Sequence, residues 1–152
     1  MACVALTASA QFEAGKNYVN LSTSALGLSY SKANKVRFNL GAAAGRFLTD
    51  DWMLLGQIGY DHQYKVDNLE IGVGGRYYIE QNGLYLGLGA QYAHNYALGA
   101  SNDNFFITPE VGYAFFVTHF LTIEPAVYFK MSCNEFSNGS TVGLKVGVGF
   151  YF

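Results

Sequence analysis

The sequence predicts an all-β protein: an eight-stranded, antiparallel, up-and-down transmembrane β-barrel. Three observations carry this reading. Apolar and polar residues alternate with period two through most of the chain, and no stretch shows a helical period. Within the alternating segments, charges fall almost wholly on one parity and large apolar residues on the other. The composition is rich in Gly (18), Tyr (12) and Phe (12) but only 13% charged over 152 residues. No run approaches the ~20 apolar residues of a spanning helix. A barrel needs apolar residues only at alternate positions, which reconciles low charge with the absence of such a run.

The alternation is clearest in Lys145-Val146-Gly147-Val148-Gly149-Phe150-Tyr151-Phe152. Val146, Val148, Phe150 and Phe152 share one face of an extended strand, and Lys145, Gly147, Gly149 and Tyr151 the other. This stretch resembles the assembly signal of bacterial outer-membrane β-barrels, with Lys145, Gly147, Phe150 and Phe152 at its polar, glycine, aromatic and terminal aromatic positions. The resemblance implies recognition by the barrel-assembly machinery.

Residues 1–10 read as a residual export-signal segment. Val4 to Leu6 ends an apolar stretch, and Ala8-Ser9-Ala10 before Gln11 suits a small-residue cleavage site, although the usual positive start is missing. Residues 11–152 form one barrel domain. Cys133 is the one cysteine of that domain, so no intramolecular disulfide is expected in it.

Eight extended segments follow in order. The first, about Asn17 to Ser31, changes phase between Leu21 and Leu26, which a bulge near Ser22 to Ala25 would reconcile. The second, Val36 to Phe47, follows the Ser31-Lys32-Ala33-Asn34-Lys35 turn. Thr49-Asp50-Asp51 turns the chain into the third, Trp52 to Tyr64, and Lys65 to Asp67 into the fourth, Asn68 to Ile79. Glu80-Gln81-Asn82-Gly83 precedes the fifth, Leu84 to Tyr96, and Ala97 to Asn104 is expected to be the longest loop. The sixth runs from Phe105 to Val117 and, after Thr118-His119-Phe120, the seventh from Leu121 to Ser132. Cys133 to Gly139 leads to the last strand. Pro109 and Pro125 each remove a ladder donor, so the sixth and seventh strands are expected to pair less regularly.

The two faces then acquire opposite solvents. Arg37, Asp61, Glu70, Arg76, Glu110, Glu124, Lys130 and Lys145 share the interior parity and form a candidate luminal charge network. Arg46 alone breaks the pattern, beside a turn where a lipid-facing charge costs only ~0–1 kcal/mol. A soluble sandwich or lipocalin would place charges outside and apolar residues inside. Outward aromatics sort into two girdles: Trp52, Tyr77, Phe115, Phe150 and Phe152 near one end, Tyr30, Tyr60, Tyr64, Tyr92, Tyr96, Phe105 and Phe129 near the other. Inward glycines let a narrow barrel hold long side chains. They alternate within strands with no helix after them, so they are not a phosphate-cradling loop.

From about Asn17 to Phe152 the chain resembles the small outer-membrane barrels of the OmpA/OmpX type, the outer membrane protein beta-barrel domain of Gram-negative bacteria. The resemblance implies residence in the outer membrane, with both termini periplasmic, contacts with outer-membrane lipid and lipopolysaccharide, and a monomer. The function expected is that of a non-enzymatic envelope scaffold or surface-contact protein with a plugged polar lumen. The alternatives are a lipid-modifying outer-membrane enzyme and a small passive pore. His62 and His94 fall near the outer rim on lipid-facing parity, but no His-any-Ser segment accompanies them, and Asp61 points away from His62. His119 is a turn residue. No catalytic set, cofactor site or metal-ligand spacing is expected. A net charge of −2 without basic clusters argues against nucleic acid.

Overall fold

The computed structural model describes residues 12–28, 38–63, 66–80, 82–97, 100–133 and 141–152. Eight strands run over Asn17–Leu28, Phe38–Phe47, Trp52–Gln63, Val66–Tyr78, Leu84–Ala97, Ala100–Tyr113 (resuming at Phe115–Phe116 after Ala114), Leu121–Ser132 and Thr141–Tyr151. Each pairs antiparallel with the next in sequence. The first also pairs with the last, from Tyr18 opposite Tyr151 to Leu28 opposite Val142, which closes the sheet into a barrel without edges.

The bulge lies where the phase change places it: the register between the first and last strands shifts between Thr23 and Leu26. The two prolines act on one seam. The sixth and seventh strands pair at Phe106–Ser132, Ile107–Met131, Glu110–Tyr128, Val111–Val127 and Gly112–Ala126. The same register continues at Phe115–Ile123. Carried through, it sets Pro109 opposite Phe129 and Pro125 opposite Tyr113, and both positions are gaps in the ladder. Missing N–H donors therefore interrupt the bonding without moving the register.

The three turns expected on the side of the chain ends are tight. Leu48 N donates to Trp52 O (2.8 Å), Ile79 N to Leu84 O (2.8 Å) and Val117 N to Leu121 O (2.9 Å). The second needs a left-handed residue, which Gly83 supplies at φ 97°. Two connections differ from expectation. Ala97 to Asn104 is not a long loop: Tyr96 pairs with Ser101 and Ala97 with Ala100, so the fifth and sixth strands rise as an extended hairpin. The polar run Ser101-Asn102-Asp103-Asn104 reads as loop because its alternation is lost, yet a strand wetted on both faces needs none. The expected turn at Lys65 to Asp67 is likewise shorter, with Gln63 already opposite Val66.

The faces divide as the alternation predicts. Leu21, Val73 and Leu88 point outward at 55%, 63% and 61% exposure, whereas Arg76 and Glu124 point inward at 4% and 2%. Soluble monomers rarely expose apolar patches beyond roughly a few hundred Å². Here exposed aliphatics encircle the molecule, so the surface is built for hydrocarbon. Trp52 and Tyr77 stack 5.1 Å apart on the outside near one end, with Phe115 and Phe150 also outward there. Tyr60, Tyr92 and Phe105 face outward toward the other end. Arg46 is exposed on this outer face beside its turn. Residues 1–10, Arg37, Tyr30 and Tyr64, and the Ser31 to Lys35 turn, lie outside the described residues. So do the side chains of Asp61, His62 and Tyr96.

The apolar core occupies only one end of the interior. Phe47, Met53, Tyr78, Tyr85, Ala114 and Tyr151 cluster at the end carrying the short turns. Phe12, from the segment before the first strand, enters that cluster and is fully buried. Gly15 (φ 89°) turns the chain so that Gly15 N donates to Phe47 O (2.9 Å), while Ala14 N donates to Asp50 Oδ1 (3.0 Å).

Candidate functional site

The lumen is the candidate site, and it is built in three tiers. The lowest is the aromatic floor. The Phe12 ring lies 4.4 Å from Tyr78, 5.3 Å from Phe116, 5.6 Å from Tyr151 and 5.8 Å from Phe47. Tyr78 and Tyr151 hydroxyls hydrogen-bond at 3.0 Å, and Tyr151 donates onward to Glu124 in the tier above.

The middle tier is ionic. Arg76 Nε donates to Glu110 Oε1 (2.9 Å), and its Nη1 donates to Glu124 Oε2 (3.0 Å) and to the Tyr18 hydroxyl (2.7 Å). The guanidinium lies over the Tyr85 ring at 4.2 Å and near Tyr18 at 5.3 Å. Glu124 also accepts bonds from Tyr18, from Asn20 Nδ2 (3.3 Å), from Thr122 Oγ1 (2.8 Å) and from the Tyr151 hydroxyl (2.8 Å). Lys145 donates to the free oxygen of Glu110. Burying such charges is tolerable only when partners satisfy the remaining lone pairs, and this tier supplies them.

Glycines make the tier possible. A Cβ at Gly87 would collide with Glu110, one at Gly149 with Glu124, and one at Gly143 with Tyr128. An eight-stranded barrel is just wide enough for side chains to fill, and Glu110, Glu124 and Tyr128 each lie across a residue that has none.

The third tier lies above this one. Lys130 pairs with Glu70 and lies 4.3 Å from the centre of the Phe106 ring. Between this pair and the middle tier lies a cavity of about 120 Å³ whose walls include Ser22, Gln57, Gln91, Thr108 and Tyr128.

Six of the eight residues expected in the charge network are described here, and all six line the lumen: Glu70, Arg76, Glu110, Glu124, Lys130 and Lys145. Arg37 lies outside the described residues, as does the side chain of Asp61, whose backbone pairs with Asn39. Of the assembly-signal positions, Lys145 and Gly147 face the lumen, with Gly147 beneath Asn20, and Phe150 and Phe152 face outward. Two features escape a sequence reading. Phe12 looks like tail. Tyr18, Tyr78 and Tyr85 share the lumen parity at the turn ends of their strands, a pattern that could have marked a floor.

At the outer end, His94 Nδ1 lies 2.9 Å from Asp103 Oδ1 across the fifth and sixth strands. Reading Asp103 as loop hid this partner. His119 and Cys133 are exposed. Among the described residues, no three His, Cys, Asp or Glu side chains could share a metal ion.

No family model matches the sequence, and no curated protein does. Solved structures do match. The N-terminal β-barrel domain of Pseudomonas aeruginosa OprF is similar at TM-score 0.70 and 16% identity, covering 91% of this chain and 98% of that one. The chain has the fold of the small OmpA/OmpX-type barrels. Neisserial surface protein A gives TM-score 0.60 at 17% identity, over 90% and 95% of the two chains. Yersinia pestis Ail in a bilayer nanodisc gives 0.59 at 11%, over 91% and 99%. At these identities the likeness is one of fold.

Proposed function

We propose that the protein is a non-enzymatic integral barrel of a bacterial outer membrane, an envelope scaffold or surface-contact protein whose lumen is closed. One observation carries the closure: the Arg76–Glu110–Glu124–Lys145 tier rests directly on the aromatic floor sealed by Phe12. A solute crossing the barrel would have to break buried ion pairs and then displace packed rings. The outer-membrane assignment draws on the apolar belt, on the resemblance of the final strand to an assembly signal, and on the fold shared with outer-membrane barrels. With eight strands, both chain ends and the three short turns lie on one side, which this reading makes periplasmic. Lipid and lipopolysaccharide then surround a monomer that needs no cofactor.

The second reading, a lipid-modifying enzyme at the outer rim, has one observation in its favour. Asp103 holds His94 on the lipid-facing parity, as an orienting acid holds a general base. Fractionation of cells expressing the full chain tests the location, and lipid A mass spectra test the activity. The scaffold reading expects recovery with the outer membrane and unchanged lipid A masses. A new acylation or deacylation product lost in His94→Ala would replace it with the enzyme.

A further inference from the structure

We infer that the cavity in the upper half of the lumen is a binding pocket for a small, uncharged, polyhydroxylated solute, of the size and chemistry of glycerol. The pocket has a floor, because the ionic tier and the aromatic cluster close it below. Its walls carry open hydrogen-bonding capacity.

Gln57 and Gln91 line the cavity, and neither amide has a side-chain hydrogen bond to the described residues. Their position is set by glycines. A Cβ at Gly72 would sit 2.8 Å from Gln91 Cγ and 3.1 Å from Gln57 Cγ, and one at Gly89 would sit 2.9 Å from Gln57 Nε2. Both side chains therefore lie across glycines of the wall. Thr108 contributes from the adjoining wall. It is only 7% exposed, it lines the cavity, and its Oγ1 has no partner. A hydroxyl buried without a hydrogen bond is costly, and a ligand at that point would recover the cost.

The charges of the cavity have no such deficit. Lys130 is matched by Glu70, Lys145 by Glu110, and Arg76 by Glu110 and Glu124. An anion or cation entering would have to displace an internal partner. A neutral molecule with several hydroxyls both donates and accepts, which is what two amides and an unpartnered threonine require. The volume of about 120 Å³ holds about four waters at the roughly 30 Å³ each takes in the liquid, enough to be replaced by one short polyol.

The test uses the full chain refolded into lipid nanodiscs, with backbone amide chemical shifts followed as glycerol is added. Acetate and methylammonium serve as charged controls. The expected result is saturable shifts confined to the neighbourhood of Gln57, Gln91 and Thr108, with affinity at least fivefold weaker for both controls. Thr108→Val, or Gln57→Leu with Gln91→Leu should the first fail to refold, should weaken glycerol at least fivefold. Linear, unlocalised shifts would mean that the cavity holds water only and would overturn the proposal. So would equal affinity for the ions, or variants that bind glycerol like the parent.

Discussion

Arg76 and Glu124 meet at 3.0 Å inside the barrel although their strands, the fourth and the seventh, are not neighbours in the sheet. The pair spans the lumen rather than decorating one wall. It ties opposite sides of the cylinder together, with Glu110 of the sixth strand bound to the same guanidinium.

Arg76→Ala should therefore destabilise the barrel by ~3–5 kcal/mol, because it leaves Glu110 and Glu124 short of their main counter-charge in a buried setting. Glu13→Ala, at an exposed surface pair, should change stability by less than ~1 kcal/mol. Urea titrations of the barrel in lipid vesicles would compare them. Adding Glu124→Gln to Arg76→Ala should cost less than the sum of the two single changes, since the shared tier couples them.

The outer face gives a prediction of opposite character. Leu88→Arg or Val73→Arg, near the middle of the lipid-facing belt, should destabilise by ~2–4 kcal/mol. Arg46→Leu, beside its turn, should be neutral or mildly stabilising. The same folding titrations read all three. A neutral Leu88→Arg together with unfolding by Gln91→Leu would invert the two faces.

Phe12→Ala should cost ~3–5 kcal/mol, the usual loss for a buried phenylalanine. A residue in an unattached tail would lose nothing. Intrinsic fluorescence during refolding, with the tyrosine-rich floor as reporter, would follow the change.

The seam between the sixth and seventh strands should exchange its amide hydrogens sooner than the other pairings, because Pro109 and Pro125 thin the ladder there. Hydrogen-exchange mass spectrometry should find Tyr113 and Phe129 less protected than Val146 and Val148. Equal protection would show that the remaining bonds suffice.

Much of this architecture is legible in the sequence because period-two alternation is a local signal. It gives the strands, the inward charges and even the bulge of the first strand, whose phase changes between Leu21 and Leu26. Pairing across the lumen is not local. That Glu70 meets Lys130, and Arg76 meets Glu124, depends on strand stagger, which no single strand records. The hairpin above Asn95 escapes because a strand outside hydrocarbon need not alternate, and the His94–Asp103 contact is lost with it. Phe12 escapes for a different reason: its burial comes from a turn at Gly15 that swings a flanking residue beneath the barrel.

Planar-bilayer recording of the refolded chain decides whether the lumen is closed. The three tiers predict a silent membrane, with no stable single-channel steps from the parent protein. Large, long-lived, reproducible steps would contradict the closed lumen and make the protein a pore.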